Sequence, residues 1–184
     1  MARTPSSMKE LGTEAPDFEL PDVVTGRTFS RRSVAGPKGM LAMFICRHCP
    51  FVKHVQDELA RIGRDYAGRG VGIVAISAND VTSHPEDSPT KLAYQARELN
   101  FNFPYLFDET QAVARAYDAQ CTPDFFLYDA GRKLVYRGQL DDSRPGSDIP
   151  VTGCDLRAAL DSVIAGKPVS PDQRASLGCN IKWR

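Results

Sequence analysis

An apolar run followed by a helical stripe is the clearest pattern in the first half of the chain. Residues 41–45 are apolar without alternation, which is typical of a strand that is buried on both faces. The following segment repeats apolar residues at intervals of three and four: Val52, Val55, Leu59 and Ile62. This spacing predicts an amphipathic helix. Cys46 and Cys49 lie in the turn between the strand and the helix.

The rest of the chain alternates strands and helices. Residues 71–77 form a second apolar run, and the order strand, helix, strand predicts a parallel pair with a right-handed crossover. The remaining predicted elements are helices near residues 90–99, 110–119 and 154–165, a short strand at 103–107, and hairpins around 24–29 and over 124–137. The pattern predicts one α/β domain over residues 11–184. We expect a mixed central sheet flanked by helices, an N-terminal β-hairpin extension, and a loose lead-in over residues 1–10.

Composition and charge narrow the function classes. The 23 basic and 23 acidic residues balance, so no net field draws the chain to nucleic acid or to an anionic membrane. No apolar run is long enough to cross a bilayer, and the first nine residues contain no apolar segment typical of a secretory signal. Five cysteines favour thiols kept reduced over a disulfide scaffold. We therefore expect a cytoplasmic protein without a nucleic-acid or membrane partner.

The segment Cys46-Arg-His-Cys49 carries the candidate chemistry. The unpaired N–H groups and the positive dipole end of a helix stabilise an anion, so at least one thiol should ionise more readily than a free cysteine. A reactive thiol beside a second thiol indicates thiol–disulfide chemistry. A zinc site needs four ligands and no second cysteine pair is present, so we expect no bound metal. Metal binding through the pair with a His or a third Cys is the hypothesis from another class.

Several segments resemble a known family. Residues 44–54 (Phe-Ile-Cys-Arg-His-Cys-Pro-Phe-Val-Lys-His), 138–144 and 177–183 resemble a bacterial peroxiredoxin-like subgroup of thioredoxin-fold proteins. Residues 15–20 (Ala-Pro-Asp-Phe-Glu-Leu) are similar to the peroxiredoxin and TlpA-like branch, the alkyl hydroperoxide reductase/thiol-specific antioxidant group. The resemblance implies a thioredoxin-like fold. It also implies that Pro123 is cis and faces the cysteine pair, and that the Thr122 backbone can pair with an extended substrate.

The sequence departs from this family at positions that bear on activity. Peroxiredoxins carry a threonine three residues and a proline seven residues before the peroxide-attacking cysteine, where this chain has Met43 and Gly39. The buried carboxylate of thioredoxin corresponds to Met40, so no general base is assigned. The missing hydroxyl and proline favour a thiol–disulfide oxidoreductase, and a thiol-dependent peroxidase with an antioxidant role is the alternative.

In the predicted mechanism, Cys46 is the more exposed thiol and attacks a protein or small-molecule disulfide. Cys49 then resolves the mixed disulfide. No cofactor is required, and the electrons come from a thioredoxin- or glutathione-type donor. Arg47 and His48 support the site by stabilising the thiolate, with Lys53 one turn beyond Cys49. We therefore expect a redox couple more oxidising than that of thioredoxin.

The other cysteines and histidines receive weaker interpretations. Cys121, two residues before Pro123, and Cys179, in the C-terminal tail, are possible third thiols, whereas Cys154 is interpreted as structural. His54 and His84 are interpreted as solvated. Four charged residues that follow the second hairpin or end it are also interpreted as solvated: Arg137, Asp141, Asp142 and Arg144.

Overall fold

The computed structural model describes residues 3–184. Its strands are β1 (Arg3–Pro5), β2 (Glu19–Pro21), β3 (Thr28–Ser30), β4 (Gly39–Phe44), β5 (Val71–Ser77), β6 (Tyr105–Phe107), β7 (Cys121–Thr122), β8 (Asp124–Asp129), β9 (Leu134–Gly138) and β10 (Leu177–Asn180). Its helices are α1 (Arg31–Val34), α2 (Pro50–Asp65), α3 (Pro89–Glu98), α4 (Ala112–Tyr117) and α5 (Cys154–Ile164), and Pro85–Asp87 forms one 3-10 turn. Within residues 3–184, none of the helices is long and apolar enough to cross a membrane.

A mixed five-stranded sheet lies at the centre, in the order β6-β5-β4-β8-β9. Strands β4, β5 and β6 are parallel, and β8 and β9 add to the other side of β4 as an antiparallel hairpin. The predicted α/β class and mixed sheet are therefore confirmed. The predicted N-terminal hairpin is also present, because β2 pairs antiparallel with β3.

The apolar run of β4 is explained by its central place in the sheet. Leu41 and Met43 belong to the core on the face covered by α2, α3 and α5. Met40, Ala42 and Phe44 belong to the core on the opposite face, where they pack with residues of α4. Because successive side chains of a strand point to opposite faces, a strand covered on both sides has no polar position to alternate with.

The expectation of a loose lead-in over residues 1–10 is wrong for the part that the structure describes; residues 1 and 2 lie outside it. Strand β1 pairs antiparallel with β10, which in turn pairs with β7, giving a separate three-stranded sheet. Pro5 ends the outer strand of this sheet, where a residue without an N–H is tolerated. The N-terminal segment is ordered by its pairing with the C-terminal tail.

Helix α4 differs from the prediction at both ends. It covers Ala112–Tyr117 rather than residues 110–119, and it begins after Gln111, whose φ is +65°. Oδ2 of Asp108, which precedes the helix, accepts a hydrogen bond from the Ala114 N–H at 2.8 Å. A positive φ just before the helix prevents residues 110 and 111 from joining it.

Candidate active site

The two cysteines follow the carboxyl end of β4. Cys49 is the residue immediately before α2, and Pro50 occupies the first helical position. Both Cys46 and Cys49 are fully buried, with 0% of their surface exposed. The prediction that Cys46 is the more exposed thiol is therefore wrong. Neither thiol is therefore open to solvent in this structure.

Thr122 contacts both sulfurs through different groups. Its hydroxyl Oγ1 lies 3.3 Å from Sγ of Cys46, and its carbonyl oxygen lies 3.2 Å from Sγ of Cys49. The Thr122–Pro123 peptide bond is cis, as the family resemblance implies. The turn between β4 and α2, which carries the cysteines, therefore meets strand β7, which carries Thr122.

The two thiols are hydrogen-bonded to each other and differ in acidity. The pKa of Cys49 is lowered to about 5, first by the hydrogen bond with Cys46 and then, against the effect of burial, by Cys179 and the Val52 N–H. Burial raises the pKa of Cys46 well above its usual value, and Cys49 and Asp87 add to this effect. After the first ionisation, two sulfurs in contact share one proton. A readily ionised thiol pair is thus present at the helix start, and its single negative charge belongs to both sulfurs rather than to one of them.

A buried carboxylate that the sequence analysis did not identify holds the turn between the cysteines. Oδ1 of Asp87 accepts the backbone N–H groups of Arg47 at 2.8 Å and His48 at 3.1 Å. Oδ2 lies 2.5 Å from Nδ1 of His48 and accepts the Asn79 amide at 2.9 Å. Burial alone would raise the pKa of Asp87, but the hydrogen bonds from His48 and Asn79 hold that pKa below its usual value. Asp87 therefore fixes the backbone of the two residues between Cys46 and Cys49.

The charges of Arg47 and His48 are compensated. The Arg47 guanidinium pairs with Glu86, and both groups are partly exposed to solvent. The His48 ring pairs with the buried Asp87. Each basic side chain thus faces a carboxylate, and the Asp87 charge contributes to the raised pKa of Cys46. The electrostatics therefore do not support the expectation that Arg47 and His48 stabilise the thiolate and make the redox couple more oxidising.

The histidines near the site occupy defined positions. Nδ1 of His48 lies 3.9 Å from Sγ of Cys46, but the same nitrogen also faces Asp87, so the ring does not bridge the two groups through opposite nitrogens. His84 packs against His48 with ring centroids 4.9 Å apart, and burial followed by the charge of His48 lowers its pKa. His54 is half-buried and its Nε2 has no hydrogen-bond partner among residues 3–184. The interpretation of His54 as solvated is therefore wrong, whereas His84 remains partly exposed.

Cys179 lies beside the cysteine pair. In the pairing of β10 with β7, Cys179 is directly opposite Thr122. Its thiol is hydrogen-bonded to Cys49, and it is buried. Burial, followed by this hydrogen bond and the charge of Cys49, raises the pKa of Cys179 to about 12. Of the two possible third thiols, Cys179 is the one whose sulfur meets a member of the pair.

The other cysteines face different surroundings. The Cys121 thiol contacts the carbonyl of Pro123 at 3.7 Å, and burial raises its pKa. Cys154 is exposed at the first position of α5, which does not fit a structural role in the core.

The charged loop after β9 is only partly solvated. Asp141 is buried and accepts the backbone N–H groups of Ser143, Thr152 and Gly153 at 2.7–2.9 Å. Asp142, Arg137 and Arg144 bond other groups of the same region: Asp142 pairs with Arg174, Arg137 donates to the Lys9 carbonyl, and Arg144 donates to Gln139. The charges of this loop therefore serve mainly to fold it.

The residues that the sequence analysis missed follow from the parallel sheet. Because β4 and β5 are parallel neighbours, the segments after their carboxyl ends meet at one edge. Asn79 lies two residues after the end of β5, and Cys46 lies two residues after the end of β4. This equivalent position at the same edge of the sheet is the signal that could have identified Asn79. Asn79 also accepts the backbone N–H of Lys182 at 2.8 Å, so it links the C-terminal tail to Asp87.

Comparison with known proteins places the chain in a family. The sequence profile of the AhpC/TSA family matches residues 11–137. Among curated proteins, the chain is 25% identical over 129 residues to the thiol-disulfide oxidoreductase ResA of Halalkalibacterium halodurans, a match that covers 70% of this chain and 68% of ResA.

Two solved structures extend the comparison. An uncharacterised conserved protein from Geobacillus kaustophilus is 53% identical, with a TM-score of 0.98 over 100% of this chain and 97% of that one. A thiol:disulfide interchange protein, DsbE, from Chlorobium tepidum is 17% identical, with a TM-score of 0.66 over 84% of this chain and 98% of that one. The latter similarity concerns the fold, which is thioredoxin-like.

Proposed function

The chain belongs to the AhpC/TSA family and is an oxidoreductase, and we propose that it exchanges thiols and disulfides through Cys46 and Cys49. The observation that carries the proposal is that Thr122 contacts both sulfurs, one through its hydroxyl and the other through its carbonyl oxygen. Its hydroxyl can donate to a thiolate at Cys46, while its carbonyl can accept the proton of Cys49. One threonine thus stabilises the pair with a single negative charge, which is the form that attacks a disulfide.

The proposed reaction proceeds in two exchanges. The Cys46 thiolate attacks one sulfur of the client disulfide, and the other client sulfur leaves as a thiolate and takes up a proton. Cys49 then gives up its proton and attacks Cys46, releasing the second client thiol and leaving a Cys46–Cys49 disulfide. Two electrons have passed from the pair to the client, and a thioredoxin- or glutathione-type donor returns the pair to the reduced state.

Access of a client is limited by β10. This strand pairs with Thr122, the residue whose backbone the family resemblance assigns to an extended substrate. Because both sulfurs are fully buried, we propose that a client displaces part of the tail or that a small disulfide enters beside it. The thiols of the pair need a reducing compartment between turnovers, and we propose the cytoplasm.

Single-cysteine variants test the proposal. The reduction of a protein disulfide and of hydrogen peroxide is measured in parallel for wild type, Cys46→Ser and Cys49→Ser. We expect disulfide reduction to exceed peroxide reduction, Cys46→Ser to lose capture of the client, and Cys49→Ser to accumulate a mixed disulfide on Cys46. A mixed disulfide on Cys49 in the Cys46→Ser variant would reverse the two roles. Peroxide consumption as the faster reaction would support a peroxidase instead.

Metal binding is a second candidate, favoured by one observation. Ligand atoms of Cys46, His48 and Asp87 all lie within 4.8 Å of one another. Thiolate, imidazole and carboxylate are ligands that zinc accepts, although a fourth ligand is needed to complete a tetrahedral site. Stoichiometric metal in the purified protein that protects Cys46 from alkylation would support this function, and unprotected alkylation at saturating zinc would exclude it.

A further inference from the structure

Three thiols, rather than two, meet around Thr122. Cys46 contacts its hydroxyl, Cys49 contacts its carbonyl, and Cys179 faces it across the β7–β10 pair. Cys49 is the central sulfur, because it is hydrogen-bonded to Cys46 on one side and to Cys179 on the other. A disulfide on Cys49 therefore has a thiol neighbour on either side.

The position of Cys179 is fixed by close backbone packing. A Cβ atom on the preceding Gly178 would lie 2.0 Å from the Thr122 carbonyl oxygen, so a residue with a side chain at 178 could not bring β10 this near. Two further bonds anchor the tail beyond β10: Asn79 accepts the Lys182 N–H at 2.8 Å, and Gln111 accepts the Arg184 N–H at 3.0 Å. The Cys179 thiol is thus held against Cys49 by backbone contacts on both sides of it.

From this arrangement we infer that Cys179 is a third redox thiol, which takes over the disulfide from the Cys46–Cys49 pair. The inference rests on the proposed function, since it starts from the oxidised pair. Cys179 loses its proton and attacks Sγ of Cys49, and the Cys46–Cys49 bond breaks. Cys46 leaves with the electron pair and takes up a proton. One disulfide replaces another, so no oxidant is needed beyond the client disulfide that oxidised the pair.

The electrostatics of the site set the order of events. In the reduced protein, the charge and hydrogen bond of Cys49 contribute to the high pKa of Cys179, so Cys179 stays a thiol. Formation of the Cys46–Cys49 disulfide removes the charge of Cys49, and with it the contribution of that charge to the raised pKa of Cys179. Burial, the largest cause of the raised pKa, acts in both states, and Cys179 has a disulfide bond to attack only after the pair has been oxidised. The product ties β10 covalently to the start of α2 and frees Cys46.

Disulfide mapping of the full chain tests the inference. Reduced protein is oxidised with one equivalent of oxidised glutathione, quenched in acid, alkylated, digested and analysed by mass spectrometry. In wild type we expect Cys49–Cys179 as the main intramolecular disulfide, with Cys46 alkylated. In Cys179→Ser we expect Cys46–Cys49 alone. Cys154→Ser, which replaces an exposed thiol on α5, is the matched control and should map as wild type does.

The possible failures are distinguishable. If wild type holds Cys46–Cys49 and Cys179 is fully alkylated, Cys179 is not a redox thiol, but the proposed function stands. If oxidised glutathione produces neither disulfide, the proposed function fails and this inference fails with it. The wild-type map decides the question even if Cys179→Ser does not fold, because it needs no variant.

Discussion

The carboxylate of Asp87 lies 2.5 Å from Nδ1 of His48 and also accepts the backbone N–H of the same residue. One side chain, fully buried, thus fixes both the main chain and the ring of the residue that precedes Cys49. Charge-assisted hydrogen bonds of this kind are stronger than neutral ones. We therefore interpret Asp87 as a positioning residue, which acts on the sulfurs through the turn between them and through its charge.

Replacement of Asp87 tests this interpretation. Asp87→Asn keeps the shape but removes the charge that contributes to the raised pKa of Cys46. The pKa of Cys46 should fall, and the couple should become more oxidising because the reduced form gains stability. Loss of charge-assisted hydrogen bonds should cost about 1.5–3 kcal/mol of folding free energy. Alkylation rate against pH and equilibration in glutathione buffers measure the first two effects. A loss of stability with no change in the pKa of Cys46 or in the reduction potential would show that the role of Asp87 is purely structural.

Arg47→Ala is the contrasting variant. The guanidinium pairs with Glu86, and both side chains are partly exposed, at 28% and 54%. Exposed ion pairs contribute little free energy and are screened by salt. We expect the reduction potential to stay within about 10 mV of wild type, since 30 mV corresponds to about 1.4 kcal/mol. A shift of the potential to clearly more reducing values would show that the Arg47 charge does reach the thiolate.

The parts of the site that lie close in sequence could be predicted, and the distant ones could not. The run of apolar residues in β4 and the helical stripe of α2 placed Cys46 and Cys49 in the turn between them. Asp87 bonds the Arg47 N–H across a separation of 40 residues, and a polar loop residue carries no periodic signal for such a contact. Its role depends on how the segment after β5 returns to the edge of the sheet.

The tail shows the same limit. The sequence identified Cys179 as a possible third thiol only through a resemblance, because pairing of β10 with both β1 and β7 joins segments that are distant in the chain. Strand register decides which residue faces Thr122, and a shift of one residue would turn Cys179 to the other side. The predicted exposure of Cys46 is wrong for a similar reason, because its sulfur is buried against Thr122, which lies 76 residues further along the chain.

Gly178→Ala tests whether β10 closes the site. The new Cβ would lie 2.0 Å from the Thr122 carbonyl oxygen, so the strand must move away from β7. Such overpacking typically costs about 1–3 kcal/mol. We expect faster alkylation of Cys46 and Cys49 in the native protein, together with a lower urea midpoint.

Gly131→Ala is the matched control, because the nearest atom to its Cβ is a side-chain oxygen of Asp129 at 3.3 Å. This variant should alkylate at the wild-type rate. Equal alkylation rates in Gly178→Ala and Gly131→Ala would mean that β10 does not govern access to the pair.

Asp124, which follows Pro123, is fully buried. Burial raises its pKa from 3.8 to about 7, so folding favours the protonated form. Its stabilising effect is complete below the pKa of the unfolded chain and is lost as pH rises towards 7; three pKa units correspond to roughly 4 kcal/mol. Asp124→Asn cannot titrate and should gain stability relative to wild type by up to that amount between about pH 4 and 7. Urea unfolding across this range measures the difference, with the exposed Asp148→Asn as control. A difference between Asp124→Asn and wild type that does not change with pH would show that Asp124 does not titrate there.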